Sequence, residues 1–138
     1  MSKRVLVTGA TGFIGQQTVP YLLSREYEVH ALTIKNETIP LGGDVYCHEV
    51  DIFDYEKVGR VCRELEAESL LHLAWHDGAR DRMTSPKNLF WVEASINLVR
   101  AFSENGGNRI VLAGSCAEYN WQYGYCNESL TPTEPDSL

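Results

Sequence analysis

Three glycines, Gly9, Gly12 and Gly15, recur at intervals of three residues within Thr8-Gly9-Ala10-Thr11-Gly12-Phe13-Ile14-Gly15. The apolar run Val5-Leu6-Val7 precedes them and a segment of helical spacing follows. In a strand–turn–helix setting each glycine has a task. Gly9 permits a tight turn, Gly12 lets the backbone approach a pyrophosphate, and Gly15 lets the helix pack closely. The unpaired N–H groups of the helix start face the phosphate charge. The pattern predicts a dinucleotide cofactor, NAD(H) or NADP(H). The competing reading is a Gly-rich connection that serves packing alone.

Around this turn, strand and helix signals alternate. Lys3–Thr8 is predicted as the first strand, followed by a helix from Phe13 to about Arg25 that Pro20 should bend. Strands are expected over Glu28–Thr33 and Val45–Val50, with Pro40-Leu41-Gly42-Gly43 as a turn between them. A helix over Tyr55–Ala67 and a strand over Ser69–Ala74 come next. Ser85-Pro86 opens a long helix to about Glu104, ended by Asn105-Gly106-Gly107. Its residues Leu89, Val92, Ile96, Val99 and Phe102 are spaced by threes and fours, which predicts a core-facing stripe. Arg109–Ala113 is a fifth strand. The alternation predicts an α/β fold, a Rossmann-like doubly wound parallel sheet of about five strands with helices on both faces. Ligands bind such sheets at the carboxyl ends of the strands. Those ends carry Gly9–Gly15, Thr33–Lys35, Asp51-Ile52, Ala74–His76 and Ser115-Cys116.

The 138 residues suit one small domain, and 43% hydrophobic with 22% charged residues is an ordinary globular balance. A net charge of −7 gives no general attraction for nucleic acid or an anionic membrane. No apolar run approaches the roughly 18 residues of a membrane span, and no secretory signal opens the chain. A cytoplasmic location follows as an expectation. Cys47, Cys62, Cys116 and Cys126 lack metal-ligand spacing and are expected to be reduced structural thiols, with no metal site.

The glycine spacing is Gly-x-x-Gly-x-x-Gly, and with its flanks it runs Val-Thr-Gly-Ala-Thr-Gly-Phe-Ile-Gly over residues 7–15. In this the chain resembles the extended short-chain dehydrogenase/reductases, of the NAD-dependent epimerase/dehydratase family. The resemblance covers the whole chain but only about the first half of a family member. It implies cofactor contacts from Gly9, Thr11, Gly12, Phe13, Ile14 and Gly15 in the turn. Asp51, followed by Ile52, matches the Asp that bonds the adenine, leaving Asp54 as the better helix N-cap. His72-Leu73-Ala74-Trp75 matches a His-Leu-Ala-Ala run whose backbone lines the cofactor. Leu73, Ala74 and Trp75 are therefore cofactor contacts, with Trp75 narrowing the pocket; His72 is expected to fill strand space. Ser115, four residues before Tyr119, matches the catalytic Ser or Thr that bonds the substrate oxygen where charge changes. Its competing reading is a turn cap.

Departures refine this picture. Cys116-Ala117 replaces the Asp-Glu of family dehydratases and argues against 4,6-dehydration. Trp91 occupies the place of an Asn that contacts the active-site backbone. Thr33, with Lys35 nearby, stands where NAD-selective members carry an acid, which tips the expectation slightly toward NADP over NAD. The family's base, the Tyr of Tyr-x-x-x-Lys, is due just past Leu138; Tyr119, Tyr123 and Tyr125 have no Lys four residues on. The resemblance thus implies residues 1–114 as an NAD(P)-binding domain and 115–138 as an active-site loop segment. The expected activity is the cofactor-binding portion of a nucleotide-sugar epimerase or 4-ketoreductase, without turnover by this chain. A non-catalytic NAD(P)-binding or sensing module is the alternative. Homo-oligomers are expected if the long helix is partly uncovered.

Overall fold

The computed structural model describes residues 3–34, 44–76 and 84–134. Lys35 and the turn Pro40-Leu41-Gly42-Gly43 lie outside the described residues. Five parallel strands form one sheet in the order β3-β2-β1-β4-β5. They are β1 (Lys3–Thr8), β2 (Tyr27–Thr33), β3 (Val45–Glu49), β4 (Ser69–His72) and β5 (Arg109–Leu112). The helices are α1 (Phe13–Ser24), α2 (Tyr55–Leu65) and α3 (Lys87–Glu104). The Rossmann-like strand–helix alternation read from the sequence is thus present, with no end shifted by more than two residues. α1 continues through Pro20 to Ser24, the proline being exposed.

Strand alternation divides the core into two layers. Val5 and Val7 of β1 share one layer with Val29 and Ala31 of β2 and Val19 of α1. Leu6 points the other way, into a layer with Leu32, Leu70, the α2 residues Val58, Val61, Cys62 and Leu65, and Ala94, Leu98 and Phe102 of α3. Leu6, Val7 and Val29 are fully buried, each contributing about 1.5–3 kcal/mol relative to exposure. β1 is therefore covered on both faces at the centre of the sheet.

The phase of α3 differs from the sequence expectation. Leu89, Val92 and Ile96 are 65%, 45% and 54% exposed, and only Phe102 and the half-buried Val99 of the predicted stripe turn inward. The buried face runs through Asn88, Ala94, Leu98 and Phe102, with Trp91 packed against it. Two apolar rows offset by two residues both satisfy three–four spacing. The small Ala94 and the large Leu98 and Phe102 fit against α2 and the sheet, and that fit selects the row.

Asp54 caps α2 as expected. Its carboxylate accepts the Lys57 N–H at 3.2 Å and pairs with Lys57 Nζ at 2.8 Å. These contacts hold the Asp54 carboxyl below its ordinary range. Of the four cysteines only Cys62 is buried, and burial pushes its thiol up to about 11. Cys47, Cys116 and Cys126 are exposed, so packing explains only Cys62. Beyond β5, short 3-10 turns at Cys116–Glu118 and Trp121–Tyr123 lead into an arm that returns on itself. Asn120 N–H donates to the Pro132 carbonyl at 2.8 Å, and Thr131 is buried beneath. No described helix is long and apolar enough to cross a membrane.

Candidate functional site

A cleft of about 440 Å³ opens at the carboxyl ends of the central strands. Thr8, Gly9, Thr11 and Gly12 form its base at the end of β1. One wall is Leu32 and Ile34 after β2 with Val50, Asp51, Ile52 and Phe53 after β3. The other is Leu73, Ala74 and Trp75 after β4, completed by Trp91 of α3. Strands from both sides of β1 thus converge on the glycine turn, because the chain order reverses there.

Gly9 sits at φ +70°, where a side chain would be strained, and a Cβ there would meet Ala74 N at 2.8 Å. Its smallness lets β1 and the exit of β4 approach. Gly12 caps α1 in extended conformation with no side-chain cap bond. A Cβ on Gly12 would find only the Gly9 carbonyl oxygen within 4 Å, at 3.3 Å, so its face is otherwise open. The first N–H groups of α1 have no intrahelical acceptors, as at any helix start. An open glycine backbone, unpaired donors and an adjoining cleft fit a pyrophosphate.

Asp51 is exposed in the cleft wall, and its Oδ1 accepts the Phe53 N–H at 3.0 Å. Its second oxygen is thereby aimed by a local turn. Ile52 is buried and anchors that turn in the core. On the far wall, Ala74 N–H donates to Thr8 Oγ1 at 3.2 Å, and Thr8 Oγ1 lies 2.6 Å from His72 Nδ1. Burial lowers the His72 pKa, which favours the neutral ring. The strand-space role expected for His72 is therefore joined by a hydrogen-bonding one.

The structure gathers Gly9, Thr11, Gly12, Asp51, Ile52, Leu73, Ala74 and Trp75 in this cleft. Gly15 lies buried behind the turn, while Phe13 and Ile14 are exposed on the first turn of α1. Thr33 does not line the cleft; it is 5% exposed, with its hydroxyl 3.4 Å from the His48 carbonyl oxygen. Ser115 follows β5, is exposed, and caps a 3-10 turn by accepting the Ala117 N–H at 3.2 Å. Sequence reasoning missed Phe53 as a wall residue. Its aromatic ring beside Asp51-Ile52 was the available signal. Among the described residues no group of His, Cys, Asp and Glu is arranged to hold a metal.

The sequence profile of the NAD dependent epimerase/dehydratase family matches residues 5–137. The chain belongs to that family. Among curated family relatives, the dTDP-6-deoxy-L-talose 4-dehydrogenase (NAD(+)) of Aggregatibacter actinomycetemcomitans is 29% identical over 95% of this chain and 48% of its own length. A UDP-glucose 4-epimerase of Neisseria meningitidis serogroup C is 29% identical over 85% of this chain and 38% of its own. This epimerase/dehydratase chain thus spans about half the length, or less, of the curated relatives it matches. Among solved structures, the Thermus thermophilus UDP-glucose 4-epimerase in complex with NAD superposes with a TM-score of 0.81. It is 30% identical, over 97% of this chain and 45% of that one. The Campylobacter jejuni UDP-Glc/GlcNAc 4-epimerase shares the fold with a TM-score of 0.83 at 18% identity.

Proposed function

We infer that this chain is the NAD(H)-binding portion of a nucleotide-sugar epimerase or 4-ketoreductase. The observation that carries the reading is the convergence of Gly9, Gly12, Asp51 and Ala74 on one cleft at the strand ends. The T. thermophilus relative solved with NAD supports the same cofactor. The turn from Gly9 to Gly15 would hold the pyrophosphate, Asp51 and Ile52 the adenosine end, and the backbone of Leu73 to Trp75 the middle of the dinucleotide. When bound, NAD supplies hydride transfer at a sugar carbon. Ser115 accepts from Ala117 N–H, which leaves its own proton free to donate to a substrate oxygen.

The slight expectation of NADP rests on Thr33 and Lys35. Thr33 is buried beside His48, and the T. thermophilus relative was solved with NAD, so we place NAD first. A second reading, a binding module without chemistry, would use the same cleft. Calorimetry with NAD and NADP, run beside an activity assay on nucleotide sugars, tests both. Binding of NAD without turnover is expected of this chain. Robust turnover would remove the claim of inactivity, and binding of neither cofactor would remove the cofactor reading.

A further inference from the structure

The groups beneath the Trp75 wall fix their own proton positions. Ser95 Oγ lies 2.7 Å from the Trp91 carbonyl oxygen and 2.8 Å from His72 Nε2. A carbonyl only accepts, so the single Ser95 proton goes to Trp91. His72 must then donate from Nε2. A neutral ring with its proton on Nε2 accepts at Nδ1, and the donor there is the Thr8 hydroxyl. Thr8 Oγ1 in turn accepts the Ala74 N–H. One directed path therefore runs from the backbone beside Trp75, through β1, β4 and α3, to the backbone of Trp91.

The same two tryptophans meet at their rings. The Trp75 and Trp91 centroids lie 6.1 Å apart, and Phe53 stands edge-on to Trp91 at 5.0 Å. Trp75 is 45% exposed, presenting an aromatic surface to the cleft. Flat rings of a ligand stack favourably on such surfaces. We propose that His72 is a positioning residue whose neutral, Nε2-protonated ring holds the Trp75–Trp91 wall on which a ring of the bound cofactor stacks. The ligand in this statement rests on the cofactor reading above. An imidazolium would donate at both nitrogens, so Thr8 Oγ1 would receive two donors and its own proton would lose its acceptor. Protonation of His72 thus breaks the path at Thr8 and loosens the wall. The groups facing the ring are the Thr8 hydroxyl from β1 and the Ser95 hydroxyl from α3, and burial alone accounts for the lowered pKa.

The test uses the 138-residue chain carrying Trp121→Phe, so that emission reports only Trp75 and Trp91; Trp121 is exposed and outside the cleft. Nitrogen chemical shifts of the His72 ring at about pH 7.5 should show the Nε2-protonated tautomer. An Nδ1-protonated or doubly protonated ring would overturn the proposal. On acidification the tryptophan emission should shift with the midpoint of the His72 ring, and the shift should vanish in His72→Gln. Emission that ignores His72 protonation would overturn it. Ser95→Ala removes one link without touching the ring and should weaken NAD binding roughly three- to tenfold, the effect of a lost hydrogen bond. Unchanged NAD affinity would count against positioning. The first two measurements need no ligand. A chain that binds no NAD yet shows the coupled titration would refute the cofactor reading and support the path.

Discussion

A Cβ on Gly15 would stand 2.3 Å from the Gly9 carbonyl oxygen and 2.5 Å from that of Ala10. The first turn of α1 rests directly on the backbone of the glycine turn, and backbone cannot rotate aside. Gly15→Ala is expected to cost about 1–3 kcal/mol of stability and to weaken NAD binding with it. Thermal melting and calorimetry would show this; a variant that melts with the wild type would disprove the close contact.

Gly12→Ala should behave differently. The backbone at Gly12 is extended, and the nearest atom to a new Cβ is 3.3 Å away. Stability should change by less than about 1 kcal/mol, while NAD affinity falls at least about tenfold because the methyl fills the phosphate approach. Equal losses in both would show that Gly12 serves packing instead.

Asp51→Asn keeps the acceptor for Phe53 N–H, so the local turn should survive. Only the charge is lost. NAD binding should weaken by about 1.5–3 kcal/mol, the range for a hydrogen bond to a charged group. Unaltered affinity by calorimetry would exclude Asp51 from the adenosine end.

Acid should destabilise the fold through two histidines. Burial lowers the pKa of His72. His48 is lowered by burial and then by the His30 charge, against the pull of Glu64. Both groups bind protons more weakly folded than unfolded. Their stabilisation is complete above the unfolded value of 6.5 and is lost as pH falls from there through the lowered folded values. The melting temperature should therefore drop on acidification below about pH 6.5. His48→Gln should flatten part of that slope, and a melting temperature that rose with acid would contradict the assignment.

The exposed row Leu89, Val92 and Ile96 on α3 is an apolar surface rather than core. Self-association through it is expected, and Ile96→Asp should shift sedimentation toward monomer with little change in melting. An Ile96→Asp chain that sediments as wild type would remove α3 from any interface.

Local signals made most of the fold readable. Val5-Leu6-Val7 before glycines could hardly be other than a buried strand, and Asp54 was separable from Asp51 because only one position suits the α2 cap. Gly9, Asp51 and Ala74 could be placed together because parallel topology puts all strand exits on one edge. The rest is tertiary. α3 carries apolar residues on two sides, and only packing against α2 distinguishes them. Thr33 sits at a strand end, where alternation decides between cleft and core; it pairs with Glu49 of β3, and its hydroxyl lies 3.4 Å from the His48 carbonyl oxygen. The Phe53–Trp91 contact joins a loop to a helix far away in sequence, which no periodicity encodes.

The bonds from Thr8 to His72 and Ala74 join residues 64 and 66 positions apart. The glycine turn is shaped by its own neighbours, but the far wall of the cleft arrives only when β4 docks on β1. Closing so long a loop has an entropic cost that local structure does not repay in advance. Competence to hold a ligand therefore depends on one identifiable event, the docking of β4 on β1. A probe on Trp75 would time that event separately from the formation of α1.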